Sequence, residues 1–254
     1  MSRPLKISVE RTHVPHSELK LGTWPARSQK CFSRDGARFL EMVLDPLNPH
    51  PAVPRCYHAA IYGQDGQLQV DFGPRRFLSV DGESPWCPTS PLVALPELLS
   101  NSLVLKGKIS RMNIFDASRQ TTIAAWDCTS LIARMWREDG KYYLFQEGSG
   151  IYLFCVADCS LRCISSSFRC HHCFVLKEGY IFVFYRDGYV AILDDRTGDK
   201  LAEKRLPLGV KYSPTIYSVE YEPREDAVRV VLMGAGLDAD GVCYSIRVRS
   251  ADRI

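Results

Sequence analysis

The 254-residue sequence contains no run of about 18 apolar residues, the length that a membrane-spanning helix needs. Residues 1–10 lack the apolar stretch of a secretory signal peptide, and no Asn-X-Ser/Thr glycosylation acceptor occurs. The ten cysteines are therefore expected to be reduced thiols, as in proteins of reducing compartments. We predict a cytoplasmic or nuclear protein that does not associate with a membrane.

A strong excess of either charge is also missing, because 32 basic and 29 acidic residues leave a net charge of +3. Nucleic-acid-binding domains usually carry enough basic residues on one surface to neutralise several phosphates at once. Here the basic doublets are Arg75–Arg76 and Lys204–Arg205 alone. Nucleic acid is thus not the favoured partner, and an RNA-associated subunit of a ribonucleoprotein is kept as an alternative.

The signatures of common catalytic sites are absent. There is no G-x-S-x-G nucleophile elbow, no P-loop and no dinucleotide fingerprint followed by a helix. Asp238 and Asp240 lie in a Gly-rich segment that reads as a connecting loop, and Asp194 and Asp195 suit a turn that caps its own backbone. We therefore predict a protein that is not an enzyme and has no cofactor.

The densest cysteine cluster surrounds Cys170-His171-His172-Cys173, whose spacing lets two thiolates reach one Zn²⁺. A second pair with this spacing is missing, since Cys155, Cys159 and Cys163 follow one another at intervals of four positions. In a strand, Cys170 and Cys173 would also point to opposite faces. We predict no metal, with a zinc site at Cys170 and Cys173 as the weaker alternative.

What the sequence does contain is a repeat of short aromatic and β-branched runs bounded by turn residues. Two successive groups of four runs occupy residues 131–165 and 171–206. Their Asp-Gly and Thr-Gly turns supply residues that tolerate positive φ, as tight antiparallel hairpins require. The apolar run Tyr180–Tyr185 suits a strand buried on both faces.

A polar residue tends to end the third strand of each group, before a turn and a fourth strand. The marker residues are Asp71, Asp116, Asp158, Asp195 and, at the last repeat, Val248. Their spacings are 45, 42, 37 and 53 residues. A four-stranded propeller blade takes roughly 40–45 residues, so the period favours a β-propeller, with a β-sandwich or a split β-barrel as the alternative.

Two segments, Ile114–Trp126 (IFDASRQTTIAAW) and Asp187–Ala202 (DGYVAILDDRTGDKLA), resemble the blade endings of WD-repeat and quinoprotein-like β-propellers. The resemblance covers about half of the chain, and it implies an all-β, β-propeller-like fold with a single domain over residues 1–254. The Gly-His dipeptide that opens WD blades is absent, and Trp126–Asp127 is the sole Trp-Asp pair.

Grouping the strands predicts about five four-stranded blades. They span about residues 38–80, 91–127, 131–167, 171–206 and 215–249. The last blade has three predicted strands, so residues 5–9 are expected to supply its fourth strand and close the ring. The alternative is an open propeller that a strand or blade of a partner chain completes.

Two proline-rich segments, residues 45–55 and 81–96, are predicted to be surface loops, with one helical turn at Leu95–Ser100. Loops on rigid scaffolds are where binding residues concentrate. Trp86, between Pro85 and Pro88, is predicted to be an exposed anchor for a partner, because Trp is enriched in binding hot spots. Folding of this Trp back over the core is the alternative.

The basic doublet Arg75–Arg76 is the second predicted contact site. A propeller presents many loops on a rigid body without moving parts. The sequence therefore predicts a non-catalytic protein-interaction scaffold, a subunit of an intracellular multiprotein complex. An alternative from another class is a propeller hydrolase or glycan-acting enzyme that uses carboxylates in the channel.

Overall fold

The structure of the chain is a computed structural model. It describes residues 5–15, 28–46, 56–78, 84–99, 110–128, 131–147, 150–166, 170–175, 179–185, 188–207, 215–222, 227–233 and 240–250. Every regular element within these ranges is a β-strand, and neighbouring strands pair in antiparallel sheets. The predicted all-β fold is confirmed. The chain divides into two compact units, and a single domain over residues 1–254 stays a prediction.

The first unit to be described spans residues 24–163, and its larger sheet contains eight strands. These are β2 (Ser28–Phe32), β3 (Arg38–Leu44), β4 (Cys56–Gly63), β5 (Leu68–Asp71), β6 (Phe77–Leu78), β7 (Leu92–Leu98), β8 (Ser110–Asp116) and β9 (Thr121–Cys128). The order is β2-β3-β4-β6-β7-β8-β9, and β5 also pairs with β4. The short strand β6 pairs with both β4 and β7, so it links the first two predicted blades in one sheet.

Two features of this sheet differ from the sequence-based expectation. Strand β2 was not predicted, and the helical turn expected at Leu95–Ser100 is wrong, because Leu92–Leu98 forms β7. Six of the seven residues of β7 are buried. Packing of this apolar run between two cores outweighs the local turn signal of its prolines.

Strands β7 and β8 bury both of their faces. On one face, Val93 and Phe115 pack in a core with Leu40, Met42 and Ile61 of the β3–β4 region. The opposite face packs in a second core, which consists of Cys87, Leu92, Ala94, Met112, Ile114, Cys128, Tyr143, Phe145 and Phe154. Consecutive residues of β7 thus enter different cores, as the two-residue period of a strand dictates.

A second sheet follows along the chain. It consists of β10 (Leu131–Trp136), β11 (Tyr142–Glu147), β12 (Gly150–Cys155) and β13 (Ser160–Ser166), in that order. The aromatic side chains of this sheet contact Trp126, whose ring centroid lies 5.0 Å from that of Phe154 and 5.9 Å from that of Phe145. These ring contacts reinforce the second core.

The other unit comprises residues 1–23 and 164–254. One of its sheets contains β14 (Cys170–Val175), β15 (Tyr180–Tyr185), β16 (Tyr189–Asp194) and β17 (Lys200–Arg205), in chain order. The other contains β18 (Thr215–Glu222), β19 (Ala227–Met233) and β20 (Gly241–Ser250), and β1 (Leu5–Val14) lies beside β20. The pairing of β1 with β20 runs from Leu5 opposite Ser250 to Val14 opposite Gly241. The N-terminal strand thus completes the sheet of the C-terminal strands.

Aspartates cap the turns that follow several strands. Asp116 Oδ1 accepts hydrogen bonds from the backbone N–H groups of Ser118 (2.9 Å) and Arg119 (3.1 Å). Asp194 Oδ1 accepts from Arg196 (2.8 Å) and Thr197 (2.9 Å). The capping residue of this repeat is therefore Asp194, and the marker Asp195 is a buried neighbour. Each cap ties the end of one strand to the start of the next.

Candidate protein-binding surface

Trp86 is a core residue of the 24–163 unit. Its side chain is 3% exposed, and its indole Nε1 donates a hydrogen bond of 2.7 Å to the carbonyl oxygen of Cys31. The expectation of an exposed Trp86 anchor is therefore wrong, and the alternative of a Trp folded over the core is correct. The side chain is buried because its large ring gains from leaving water, and its single polar group has a hydrogen-bond partner inside the protein.

The two prolines that flank Trp86 belong to the same internal arrangement. Pro85 is buried, and its carbonyl oxygen accepts hydrogen bonds from Ala94 N–H (2.9 Å) and from Trp136 Nε1 (2.8 Å). Pro88 is half-buried. The loop that was expected to reach a partner is held instead by two tryptophans and the backbone of β7, and partner binding by Pro88 stays a prediction.

The Arg75 guanidinium is neutralised within the fold. Its Nε and Nη2 donate two hydrogen bonds to the Glu97 carboxylate, at 2.8 and 2.5 Å. The guanidinium carbon also lies 5.9 and 5.4 Å from the ring centroids of Phe72 and Phe77. Burial raises the pKa of Glu97, but the hydrogen bonds and charge of Arg75 outweigh it and hold this pKa below its usual value. Arg75 thus has a structural role that its sequence context did not reveal.

Arg76, the second member of the doublet, is half-buried, and its carbonyl oxygen accepts a hydrogen bond of 2.7 Å from Leu98 N–H. A role of its side chain in partner binding stays a prediction. The side chains of Cys170 and Cys173 lie outside the described part of the structure. Within that part, no cluster of three His, Cys, Asp or Glu side chains is placed to hold a metal ion, and no cysteine forms a disulfide.

The outward face of strands β2 to β5 carries an apolar row that crosses all four strands. Phe32 pairs with Phe39, Phe39 with Tyr62, and Tyr62 with Leu68. Because residues that pair across an antiparallel sheet point to the same side, the four side chains form one line. The ring centroids of Phe32 and Phe39 are 5.5 Å apart, and those of Phe39 and Tyr62 are stacked at 5.1 Å.

Both ends of this row are open to solvent. Phe32 is 61% exposed and Leu68 is 56% exposed, and Val43, on the same side of β3, is 49% exposed. We call the surface of Phe32, Phe39, Val43, Tyr62 and Leu68 the aromatic face. Three of the four large hydrophobic side chains that are exposed in the described residues lie on it. A cluster of this kind marks an interaction site more often than isolated exposed apolar residues do.

A second, polar row runs beside the apolar one. It contains Lys30, Glu41, Ala60 and Asp71, again paired in sequence across the four strands. Lys30 Nζ lies 3.4 Å from Glu41 Oε1 and 5.1 Å from the centroid of the Phe39 ring. The polar row thus carries side chains of both charges and lies between the apolar row and Val43.

The alternation of β3 and β4 explains why the aromatic face points outward. Leu40, Met42 and Ile61 alternate with the outward residues and are fully buried in the first core. An antiparallel sheet with one covered face usually carries polar side chains on the other. Sequence reasoning missed this site because β2, which contributes Phe32, was not predicted. The sequence signal that could have revealed it is the alternation in β3, where Phe39, Glu41 and Val43 alternate with residues that are buried.

No family model matches the sequence, and no curated protein does. Among solved structures, the chain is similar to the β-propeller domain of Cps50 (Swd1) from Myceliophteria thermophila. The identity is 9% and the TM-score 0.51, over 84% of this chain and 66% of that chain. It is also similar to the Dos1 propeller, at 10% identity and a TM-score of 0.53, over 86% of this chain and 54% of that chain.

These similarities identify the class of fold, which is a β-propeller, as the sequence resemblance implied. The chain spans about two thirds and about half of the lengths of the two chains that it matches. Within the described residues, no helix is long and apolar enough to cross a membrane.

Proposed function

We propose that the protein is a non-catalytic protein-interaction subunit of an intracellular multiprotein assembly, and that the aromatic face is its principal contact surface. The observation that carries this proposal is the apolar row Phe32–Phe39–Tyr62–Leu68, whose ends are solvent-exposed. Aromatic side chains are enriched at the centres of protein interfaces, where their burial supplies most of the binding free energy.

The charges of this sheet support a protein partner over a nucleic acid. The strands and turns of β2 to β5 carry mixed charges, with basic Lys30, Arg34 and Arg38 and acidic Asp35, Glu41, Asp65 and Asp71. A surface that binds a polyanion needs a clear basic excess. A near-neutral apolar surface instead matches an apolar protein surface with a few charges of both signs.

Three aspartates at strand ends support a binding role over catalysis. Asp116, Asp158 and Asp194 each accept hydrogen bonds from the backbone of their own turns. Burial raises the pKa of Asp116, but hydrogen bonds from the Ser118 hydroxyl and from the turn backbone outweigh it. Bonds from the Ser160 hydroxyl and backbone lower the pKa of Asp158, and backbone bonds lower that of Asp194, whereas a general acid needs a raised pKa.

We further propose that the chain contains five blades. The third blade would be the sheet β10–β13, and the fourth would be the sheet β14–β17. The fifth would be the sheet of β18–β20 with β1. Strands β2–β5 would form the first blade. Strands β7–β9, with β6 and the bridge of Trp86 to Val93 at their inner edge, would form the second.

The function is tested by quantitative affinity purification. The wild-type chain is compared with the double variant Phe32→Ser, Leu68→Ser and with the control Leu99→Ser, which removes an exposed apolar side chain outside the aromatic face. We expect specific partners to be depleted at least about tenfold by the double variant and retained by the control. Equal recovery of all partners with the double variant, folded by circular dichroism, would contradict the role of this surface.

A further inference from the structure

We propose that the aromatic face pairs with the aromatic face of a second copy of this chain, so that the protein forms a two-fold symmetric dimer. This inference rests on the proposed function, because it names one partner of the same surface. It goes further in that the partner is the chain itself. The observation that carries it is the order of side chains in the two rows that cross β2 to β5.

The apolar row is self-complementary under a two-fold axis parallel to the strands and midway between β3 and β4. Such an axis places β2 of one copy over β5 of the other, and β3 over β4. Phe32 then lies over Leu68 of the second copy, and Phe39 over Tyr62 of the second copy. The two exposed ends of the row cover each other, and each half-buried ring meets a half-buried ring.

The polar row obeys the same operation. Lys30, at one end, lies over Asp71 of the second copy, at the other end, and the symmetry repeats this pair. Glu41 lies over the small Ala60 of the second copy, so no like charges face each other. A two-fold interface uses the same patch on both subunits, so each row of side chains packs against the same row in reverse order. The side chains of both rows are complementary in this arrangement.

The dimensions favour a reversible dimer. At a strand spacing of about 4.8 Å, the four strands present a face about 14 Å wide. Sheets that pack face to face with nearly aligned strands lie about 10 Å apart, so one layer of side chains from each copy fills the interface. A contact of this size belongs to the small class of interfaces, which are typical of concentration-dependent association.

The two-fold arrangement explains the charges better than a different apolar partner does. Covering the aromatic face with a purely apolar surface would bury Asp71 without an opposite charge and would leave Lys30 with its neighbour Glu41 alone, and desolvation of poorly paired charges is unfavourable. The second copy supplies an acid over Lys30 and a base over Asp71 from residues that the chain already has.

The first test measures the mass of the purified full-length protein by sedimentation velocity across a wide concentration range. We expect a reversible monomer–dimer equilibrium, with a dissociation constant that rises at least about tenfold in Phe32→Ser or Leu68→Ser. The matched control Leu99→Ser should leave it unchanged. A wild-type protein that stays monomeric at the highest concentration, or a dimer that tolerates both substitutions, would overturn the proposal.

The second test exchanges the charges of the polar row. Lys30→Asp alone and Asp71→Lys alone should each weaken the dimer by roughly threefold to tenfold, because like charges then face each other. The double variant should restore the wild-type constant within about twofold. Within one copy the two residues lie on β2 and β5, about 14 Å apart, so their rescue must act between copies. Additive weakening in the double variant would overturn the two-fold arrangement.

Failure of this inference is distinguishable from failure of the proposed function. A monomeric protein whose partners in affinity purification still depend on Phe32 and Leu68 would overturn the dimer and keep a protein-binding aromatic face. Thermal melts of each variant establish that loss of association is not loss of fold.

Discussion

The indole nitrogen of Trp86 and the carbonyl oxygen of Cys31 are joined by a hydrogen bond of 2.7 Å across 55 positions of the chain. Trp136 makes a similar bond of 2.8 Å to the carbonyl oxygen of Pro85. The segment around residues 85–86 is thus tied to β2 on one side and to β10 on the other. The sequence of this proline-rich loop suggests a partner-binding loop. In the structure its two long-range hydrogen bonds connect β2 and β10 to the same segment.

Trp86→Ala should therefore destabilise the protein strongly, with little direct effect on association. We expect a loss of about 3–5 kcal/mol in the free energy of unfolding, because a large buried ring is removed. Trp86→Phe retains most of the apolar contact and loses the bond to Cys31, which costs about 1–3 kcal/mol when the acceptor stays buried. Urea denaturation measures both values. An alanine variant as stable as the wild type would contradict the burial of this side chain.

The Arg75–Glu97 pair should contribute to stability in a pH-dependent way. The folded-state pKa of Glu97 lies below its usual value, so this contribution is present above the unfolded-state pKa. It is lost as the pH falls through the folded-state pKa. Arg75→Ala should cost about 1–3 kcal/mol at neutral pH, since Glu97 loses a two-bond partner.

The comparison variant for this pair is Arg75→Lys, which keeps the charge and loses the paired geometry of the guanidinium. We expect an intermediate stability for it. Denaturation curves between neutral and strongly acidic pH should show the difference between wild type and Arg75→Ala shrinking as Glu97 becomes protonated. A difference that is independent of pH would show that packing on Phe72 and Phe77, not the ion pair, gives Arg75 its effect.

The cap of Asp116 should be a second acid-sensitive element. Burial raises the pKa of this carboxyl, but hydrogen bonds from Ser118 and Arg119 outweigh burial and lower it. Its stabilisation is thus present above the unfolded-state pKa and disappears as the pH falls through the folded-state pKa. Asp116→Ala should lose about 1–2 kcal/mol at neutral pH and less in acid. Leu99→Ser, which removes an exposed apolar side chain and leaves this turn intact, is the control in the same denaturation series.

The fold class was predictable because hairpin chemistry and strand composition are local signals. The apolar run Tyr180–Tyr185 and the turn after Asp194 have the same meaning in any context, and both lie where the sequence predicts a strand and a turn. The fourth marker, Asp195, lies one residue beyond Asp194, which caps the turn. Two adjacent aspartates carry the same turn preference, and hydrogen-bond geometry alone distinguishes them.

The candidate site was not predictable for the opposite reason. Whether Trp86 is exposed depends on Cys31, and whether Arg75 is available depends on Glu97, and neither partner is near in sequence. The apolar row of the aromatic face exists because four strands place one residue each in a line. Phe32 and Leu68 lie on the same surface because of the register in which β2, β3, β4 and β5 pair. Composition and sequence spacing do not specify that register.

Removal of β1 should destabilise the sheet formed by β18 to β20. Strand β1 pairs with β20 from Leu5 to Val14, and its Glu10 Oε2 lies 2.9 Å from Arg247 Nη1. Deleting residues 1–14 exposes the edge of Gly241–Ser250, and each lost ladder bond contributes on the order of 1 kcal/mol. We expect a markedly lower melting temperature and aggregation through the open edge.

A synthetic peptide of residues 1–15, added in trans, should raise the melting temperature of the truncated protein, because it restores the ladder. A peptide of the same composition in scrambled order should not, since it lacks the side-chain order that Leu5–Val14 presents in register with β20. Truncation without loss of stability would mean that β20 does not need this strand, and the sheet would then be available for a strand from another chain.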